Sequence, residues 1–280
     1  MATIDYAKKY ASEVSERFVE GTKTAGLVNQ KYDFTGVKTV KVYNVSTAPL
    51  NDYKRTGVNR FGTPAELDAT TEEMTMSQEK SFTFVIDAMD KDETGMALEA
   101  GTALARQIRE VIVPELDRYR FAKMVENAGN EKEIALDENN IYDVIVEATE
   151  ILDDAEVPVV GRQLVVSPKA FRLMKQSKDI ILDTELSDEQ RAKGVIAMID
   201  GLEVNKVPSS RLPENVDMLI SHQNATCAPV KLAVYRVMTE VPGIHGALAE
   251  GLVYHDAFVL ENNKKQIFAV KAPVVLKAKK

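Results

Sequence analysis

Near the start of the chain Ile4, Ala7, Ala11, Val14 and Phe18 recur at alternating spacings of three and four. That spacing predicts an amphipathic helix with a narrow apolar stripe. Gly21 and the polar run TKTAGLVNQ then break it. A helix so short is marginal alone, so its stripe is expected to lie on a partner surface. The period next changes to two. VKTVKVYNV, residues 37–45, is rich in β-branched side chains. TMSQEKSFTFVID, residues 75–87, puts Met76, Phe82, Phe84 and Ile86 on one face, with Ser77, Glu79, Ser81 and Thr83 on the other. Residues 46–71 between them contain Pro49, Gly57, Gly62 and Pro64, and are too long for an ordinary hairpin turn. The pattern predicts that 37–45 and 75–87 pair as a two-stranded arm with an irregular polar tip, roughly 26 Å long for about eight paired residues. An isolated ribbon of that kind is barely stable in water and needs another surface to lie on.

GTALARQIREVIVPELDRYRFAKMVENAG then reads as one long helix. It is expected to start near Asp92 or Thr94, either of which could cap it, and to end with Gly129 at C′. Leu104, Ile108, Val111, Ile112, Leu116 and Tyr119 form one stripe, and Phe121, Met124 and Val125 a second, rotated one. A bend at Pro114 accounts for the rotation, because a mid-helix proline removes a backbone bond and clashes with the preceding turn. Two helices meeting between Val113 and Pro114 are the alternative.

The second half mixes periods. Residues 139–157 predict a helix capped at Asn139 or Asn140, with Ile141, Val144, Ile145, Ala148 and Leu152 inward and Pro158 beyond its end. Residues 163–166 read as a strand, followed at once by a helix with Ser167 as N-cap and Pro168 in its first turn. GVIAMIDGLEVNKVPSSRL predicts strand, Asp200-Gly201 turn, strand. VDMLISH, VKLAVYRVM, GLVYHDAFVL and QIFAVKA supply further strands. Helices and strands alternate without a βαβ rhythm, which indicates an α+β fold rather than a doubly wound sheet.

Composition narrows the function classes. The lone cysteine, Cys227, excludes an intrachain disulfide and reads as a buried structural thiol in a reducing compartment. A net charge of −8 argues against a chain whose main work is gripping nucleic acid. No apolar run approaches the roughly 20 residues that span a bilayer, and the charged N-terminus is unlike a signal peptide. The KAKK tail reads as a solvated end.

A search for chemistry singles out no catalytic, cofactor-binding or metal-ligating residue. His222, His245 and His255 sit in no metal-ligand spacing. His255 and Asp256 are neighbours whose side chains point to opposite faces of a strand, so they are read as structural. GIHGALAEG lies between strand signals rather than opening a helix, which argues against phosphate binding. Asp87, Asp90 and Asp92, like Asp153, Asp154 and Glu156, lack a calcium-loop spacing and read as solvated surface. Arg106, Arg109, Glu110, Glu115, Asp117, Arg118, Arg120 and Lys123 alternate in sign along the long helix. They fit either pairing within the helix, as Arg106 with Glu110, or salt bridges between neighbouring subunits.

The collinear series SFTFVID, LEAGTALARQIREVIVPELDRYRFAKM, LVVSPKAFRLMK, GVIAMIDGLEVNKVPSSRLP and PGIHGALAEGLVYHDAFV, preceded by KTVKVYNVSTAP and NRFGTPAEL, resembles the major capsid proteins of tailed bacteriophages. Their fold is named after phage Hong Kong 97, and the resemblance runs over nearly the whole chain. It implies an N-terminal arm with a helix over 1–35 and an extended E-loop β-hairpin over 36–87 that lies across a neighbouring subunit. It further implies a P-domain with a spine helix over 88–138, mainly an A-domain over 139–238, and strands returning to the P-domain with a tail over 239–280. The implied role is structural and not enzymatic: self-assembly as hexamers and pentamers into an icosahedral shell around the genome. Implied partners are other copies, portal and decoration proteins, and double-stranded DNA touched only weakly; no membrane is involved. With no room for a large N-terminal scaffolding segment, a separate scaffolding protein or none is expected. The implied location is the virion, assembled in the bacterial host's cytoplasm. Some relatives crosslink subunits through a Lys–Asn isopeptide bond; Lys54 near the arm tip is the conceivable donor, with no acidic catalyst or Asn assigned. An encapsulin-like compartment around a protein cargo, and a soluble enzyme with an unrecognised site, are the competing readings.

Overall fold

The computed structural model describes residues 21–34, 37–48, 50–63, 66, 68–89, 100–178, 180, 195–239 and 241–273. The helix expected over 4–18, the helix start at Asp92 or Thr94, and the KAKK tail lie outside the described residues. The chain separates into two compact units, Tyr32–Met76 and the remainder.

The smaller unit is a hairpin of Thr39–Val45 (β2) and Ala69–Thr75 (β3), with Thr39 opposite Thr75 and Val45 opposite Ala69. Cross-strand side chains set its register. Thr39 and Thr75 share a hydroxyl hydrogen bond of 2.9 Å, and Lys41 lies 2.6 Å from Glu73. This corrects the expected pairing, which matched 37–45 with 75–87. Most of that second segment, Gln78–Asp87 (β4), instead joins a sheet of the larger unit. The physical reason is its apolar face: Phe82 and Phe84 pack beside Leu104, Ile108 and Val113. A free ribbon has no core against which to bury such rings. The true partner, ATTEEMT, lacks an apolar alternation but is rich in threonine, which suits a solvated strand.

In the larger unit a six-stranded mixed sheet runs Asn130–Glu133 (β5), Ile267–Lys271 (β14), Val216–His222 (β9), Arg162–Val166 (β6), Leu202–Lys206 (β8), Val195–Ile199 (β7). The pairs β5 with β14 and β6 with β8 are parallel, the other three antiparallel. Alternation along the central strands gives each face its own core. Leu164, Val166, Met218, Ile220, Phe268 and Val270 face Ile141–Asp154 (α3) and Pro168–Gln176 (α4). Val165, Leu219, Ile267 and Ala269 face Phe121, Met124 and Val125 of Val113–Glu126 (α2). The sheet is therefore buried on both sides, which explains why all five residues of β6, Arg162 and Gln163 included, are buried. The five expected inward residues of α3 are all buried, each worth about 2 kcal/mol of transfer free energy at most for the larger ones. Ser167 caps α4, its Oγ accepting from the Ala170 N–H at 3.1 Å, and Asp200 and Gly201 both have positive φ, as the tight hairpin turn requires.

The long helix passes through Pro114 without a break into two helices. Ala100–Gln107 (α1) leads into a π-helical turn over Ile108–Ile112, and α2 follows directly. The Val113 N–H donates to the Ile108 carbonyl, five residues back. Pro114 has no N–H to donate and its ring crowds the preceding turn, so a widened turn is the accommodation. Val111 points outward on this turn and is 52% exposed, unlike its expected place on the inner stripe. The helix ends at Glu126, earlier than Gly129 would place it. Gly129 serves another purpose: a Cβ there would lie 2.6 Å from the Lys264 carbonyl oxygen.

A second sheet orders Val230–Met238 (β11), Gly246–His255 (β12) and β4, all antiparallel. Gly251 stands opposite Phe82, whose ring occupies the space a Cβ would need. A third, small sheet joins Val28–Asn29 (β1), Thr226–Cys227 (β10) and Phe258–Val259 (β13). Cys227 is buried in it.

Candidate assembly interface

Half of the large apolar side chains exposed in the described residues fall within 37–61: Val37, Tyr43, Leu50, Tyr53, Val58 and Phe61. Leu50, Val58 and Phe61 are 84% exposed or more. The tip that carries them is nonetheless built. Ser46 and Asp68 close the ribbon with two hydrogen bonds, the Lys54 N–H donates to the Arg60 carbonyl at 3.0 Å, and Tyr53 and Phe61 rings lie 5.1 Å apart. Gly57 and Gly62 supply the positive φ its turns need. Lys54, the conceivable crosslink donor, is exposed on this tip. Apolar surface concentrated on a polar ribbon marks an interaction surface.

In the larger unit, the residues where the chain leaves for the hairpin and returns from it are pinned. On the way out, β1 pairs with β10, and the Asn29 amide donates to the Gln223 carbonyl. On the return, Asp256 accepts from the Ser77 N–H at 2.8 Å and the Ser77 hydroxyl at 2.9 Å, while its other oxygen accepts from the Tyr119 hydroxyl at 2.8 Å. Burial and then the Asp256 carboxylate push the Tyr119 phenol up to about 12. His255 packs edge-on against Tyr119 with centroids 5.2 Å apart, and its Nδ1 has no hydrogen-bond partner. Burial, followed by the positive charge of Arg120, drives its pKa down to about 4. Sequence reading treated His255 and Asp256 as a structural pair but gave no hint that Tyr119 binds both.

A second anchor lies upstream. Asp117 is fully buried and accepts from the Thr22 hydroxyl at 2.5 Å, the Lys23 N–H at 2.8 Å, the Thr24 hydroxyl at 2.9 Å and Arg211 at 2.7 Å. Arg120 donates to Thr24 at 2.7 Å. Asp117 and Arg120, expected among the alternating charges of the rod, thus fasten residues 22–24 to α2 instead. The remaining rod charges pair within the helix: Arg106 and Arg109 with Glu110, Arg118 with Glu115, Lys123 with Glu126.

A groove of about 400 Å³ runs between the π turn and the β4–β12 sheet, lined by Phe82, Val111, Pro114, Leu116, Val253 and His255. Its rim carboxylates, Glu110 and Glu115, are engaged by the arginines just named, and no carboxylate orients His255 through Nδ1. That arrangement does not assemble an acid–base pair. Asp153 is held 2.7 Å from the buried Arg162, whose Nε donates to the Pro158 carbonyl and fixes the turn after α3. Asp87 accepts from the Met89 N–H, whereas Asp90 and Asp92 lie outside the described residues. None of the described helices is long and apolar enough to cross a membrane.

No protein-family model matches the sequence, and no curated protein matches it. Solved structures do. A chain of Mycobacterium phage Che8 is similar with a TM-score of 0.68 at 20% identity, covering 88% of this chain and 89% of that one. The mature capsid of bacteriophage PhiM1 gives 0.62 at 12% identity, over 88% and 84%. The virus-like particle from Pyrococcus furiosus gives 0.57 at 12% identity, over 95% and 99%. At these identities what the chain shares with them is the fold, a mixed α and β fold of bacteriophage capsid proteins, as the sequence resemblance implied.

Proposed function

We propose that this chain is a structural major capsid protein whose copies assemble as hexamers and pentamers into an icosahedral shell around the genome of a tailed phage. The observation that carries the reading is the hairpin of residues 32–76, which holds half of the exposed large apolar side chains among the described residues and has little core of its own. Such a ribbon gains its stability on another surface, and the fold likeness to a mature phage capsid supplies the kind of surface: further copies. In this reading 32–76 is the E-loop, the rod through Pro114 is the spine helix of the P-domain, and the six-stranded unit with α3 and α4 is mainly the A-domain. The work is mechanical rather than catalytic. Portal, scaffolding and decoration proteins are the other partners, DNA contact is weak and salt-sensitive, and the particle forms in the host cytoplasm. Lys54 has the exposure a crosslink donor needs.

A second reading has its own support. The virus-like particle from Pyrococcus furiosus is covered over 99% of its length, so a shell around a protein cargo fits the same fold. Electron microscopy of the expressed chain tests the shell, with closed particles expected. Mass spectrometry and nuclease treatment of particles from the native source separate the readings: packaged DNA with portal protein supports the phage shell, a cargo enzyme the compartment. Chain that stays monomeric at high concentration with its partners present overturns both.

A further inference from the structure

The two helices that cover one face of the six-stranded sheet carry opposite charge. On α3, Asp143, Glu147, Glu150, Asp153 and Asp154 point away from the core. Glu147 pairs with Lys132 and Asp153 with Arg162; among the described residues Asp143, Glu150 and Asp154 have no ion-pair partner. Val146, 38% exposed, sits amid them. On and just after α4, Lys169, Arg172, Lys175 and Lys178 are all exposed. Lys206 of β8 adds a fifth cation, its Nζ 5.5 Å from the Phe171 ring centroid, with Lys175 at 4.9 Å from the same ring. Lys169 alone among these five forms an ion pair with a described residue, Asp217.

The two flanks both reach the middle of the sheet, Asp153 at β6 and Lys169 at β9, and differ in their outermost anchors. Lys132, which holds Glu147, is on β5 at one edge. Lys206, which meets Phe171 of α4, is on β8, next to the other edge. Like charges three and four residues apart weaken a helix, and each row is relieved by meeting the opposite sign. Two distinct complementary patches on one chain make a head-to-tail contact, which generates a ring when the rotation closes. We propose that the acidic α3 flank of one copy docks against the basic α4 flank of the next copy, side by side around each ring of the shell. The ring rests on the shell reading above; the pairing of flanks is what is added.

Two sets of full-length variants test it. Asp143→Lys with Glu150→Lys reverses one flank, and Arg172→Glu with Lys175→Glu reverses the other. Each reversed pair alone is expected to cut the assembled fraction about tenfold, as like charges face each other. All four substitutions in one chain are expected to restore assembly. Separately, Glu150→Cys with Lys175→Cys in one chain is expected to give a ladder of disulfide-linked oligomers on mild oxidation, since native Cys227 is buried. Normal shells from either reversed chain, or no recovery when all four substitutions are combined in one chain, overturn the flank pairing while leaving the shell intact. If wild-type chain forms no shell the shell reading fails, and absence of the cysteine ladder at high protein concentration then overturns the pairing as well.

Discussion

Asp117 is a carboxylate without exposed surface that collects four donors from two separate parts of the chain, residues 22–24 and Arg211. Its removal leaves Arg120 and Arg211 without their counter-charge, and Arg120 is itself buried. Breaking a buried pair from one side costs more than the pair is worth, so Asp117→Ala is expected to destabilise the fold by about 3–5 kcal/mol. Urea denaturation measures this. The double variant with Arg211→Ala should cost clearly less than the two single losses added together; strict additivity would mean the clamp does not act as a unit. His255 contributes a pH dependence of defined sign. Its folded pKa, near 4, lies below the ordinary histidine value of 6.5, so the fold favours the neutral ring. Stability from this residue is complete above pH 6.5. As pH falls from 6.5 to about 4 the unfolded chain binds a proton that the folded chain refuses, and about 3 kcal/mol is lost. His255→Gln cannot titrate, so denaturation midpoints measured at pH 7 and 4.5 should differ less in the variant than in wild type. An equal difference in both would assign the acid sensitivity elsewhere.

Among elements, the β4–β12 pairing depends on two glycines that nothing in their sequence context explains. A Cβ on Gly246 would fall 2.0 Å from the Ile86 carbonyl oxygen, at a φ of 152°. Neither the backbone contact nor the angle can relax cheaply, so Gly246→Ala is expected to cost about 2–4 kcal/mol and to raise amide exchange along β4. Exchange unchanged at β4 would show the strand held by other means. Elements with strong local signals were legible: α3 from its inward stripe, α4 from Ser167 and Pro168, the hairpin from Asp200-Gly201. The π turn was not, because a proline announces a disturbed helix but its pattern does not distinguish a kink from a widened turn. β3 was hidden for a different reason. Strand reading follows apolar alternation, and β3 offers only Met74 as a buried apolar residue among its seven. The mis-paired arm followed from that: the nearest strongly alternating segment was taken as partner, although its aromatic face belonged to a core. Asp117 and Arg120 fit pairing within the rod or between subunits by their spacing alone, since nothing in the helix pattern shows that residues 22–24 and Arg211 cover them.

For the whole molecule, the decisive feature is that the apolar cores lie in the larger unit while the hairpin carries an exposed apolar tip. The larger unit has three apolar clusters of its own, whereas the hairpin offers a polar ladder and an exposed apolar tip. Replacing residues 46–68 by a two-residue Asn-Gly turn keeps β2 and β3 and closes the ribbon with favourable turn chemistry. It deletes Leu50, Tyr53, Val58 and Phe61 together. Because those side chains are exposed in the single chain, their loss should leave the melting temperature of the monomer within about 2 °C of wild type. Between copies the same residues would sit in a contact, where aromatic and aliphatic anchors carry most of the binding free energy. The truncated chain is therefore expected to fold normally and to form no closed particles by electron microscopy. Wild-type shells from it would remove the hairpin from assembly, and a collapse in monomer stability would instead make the tip part of the fold.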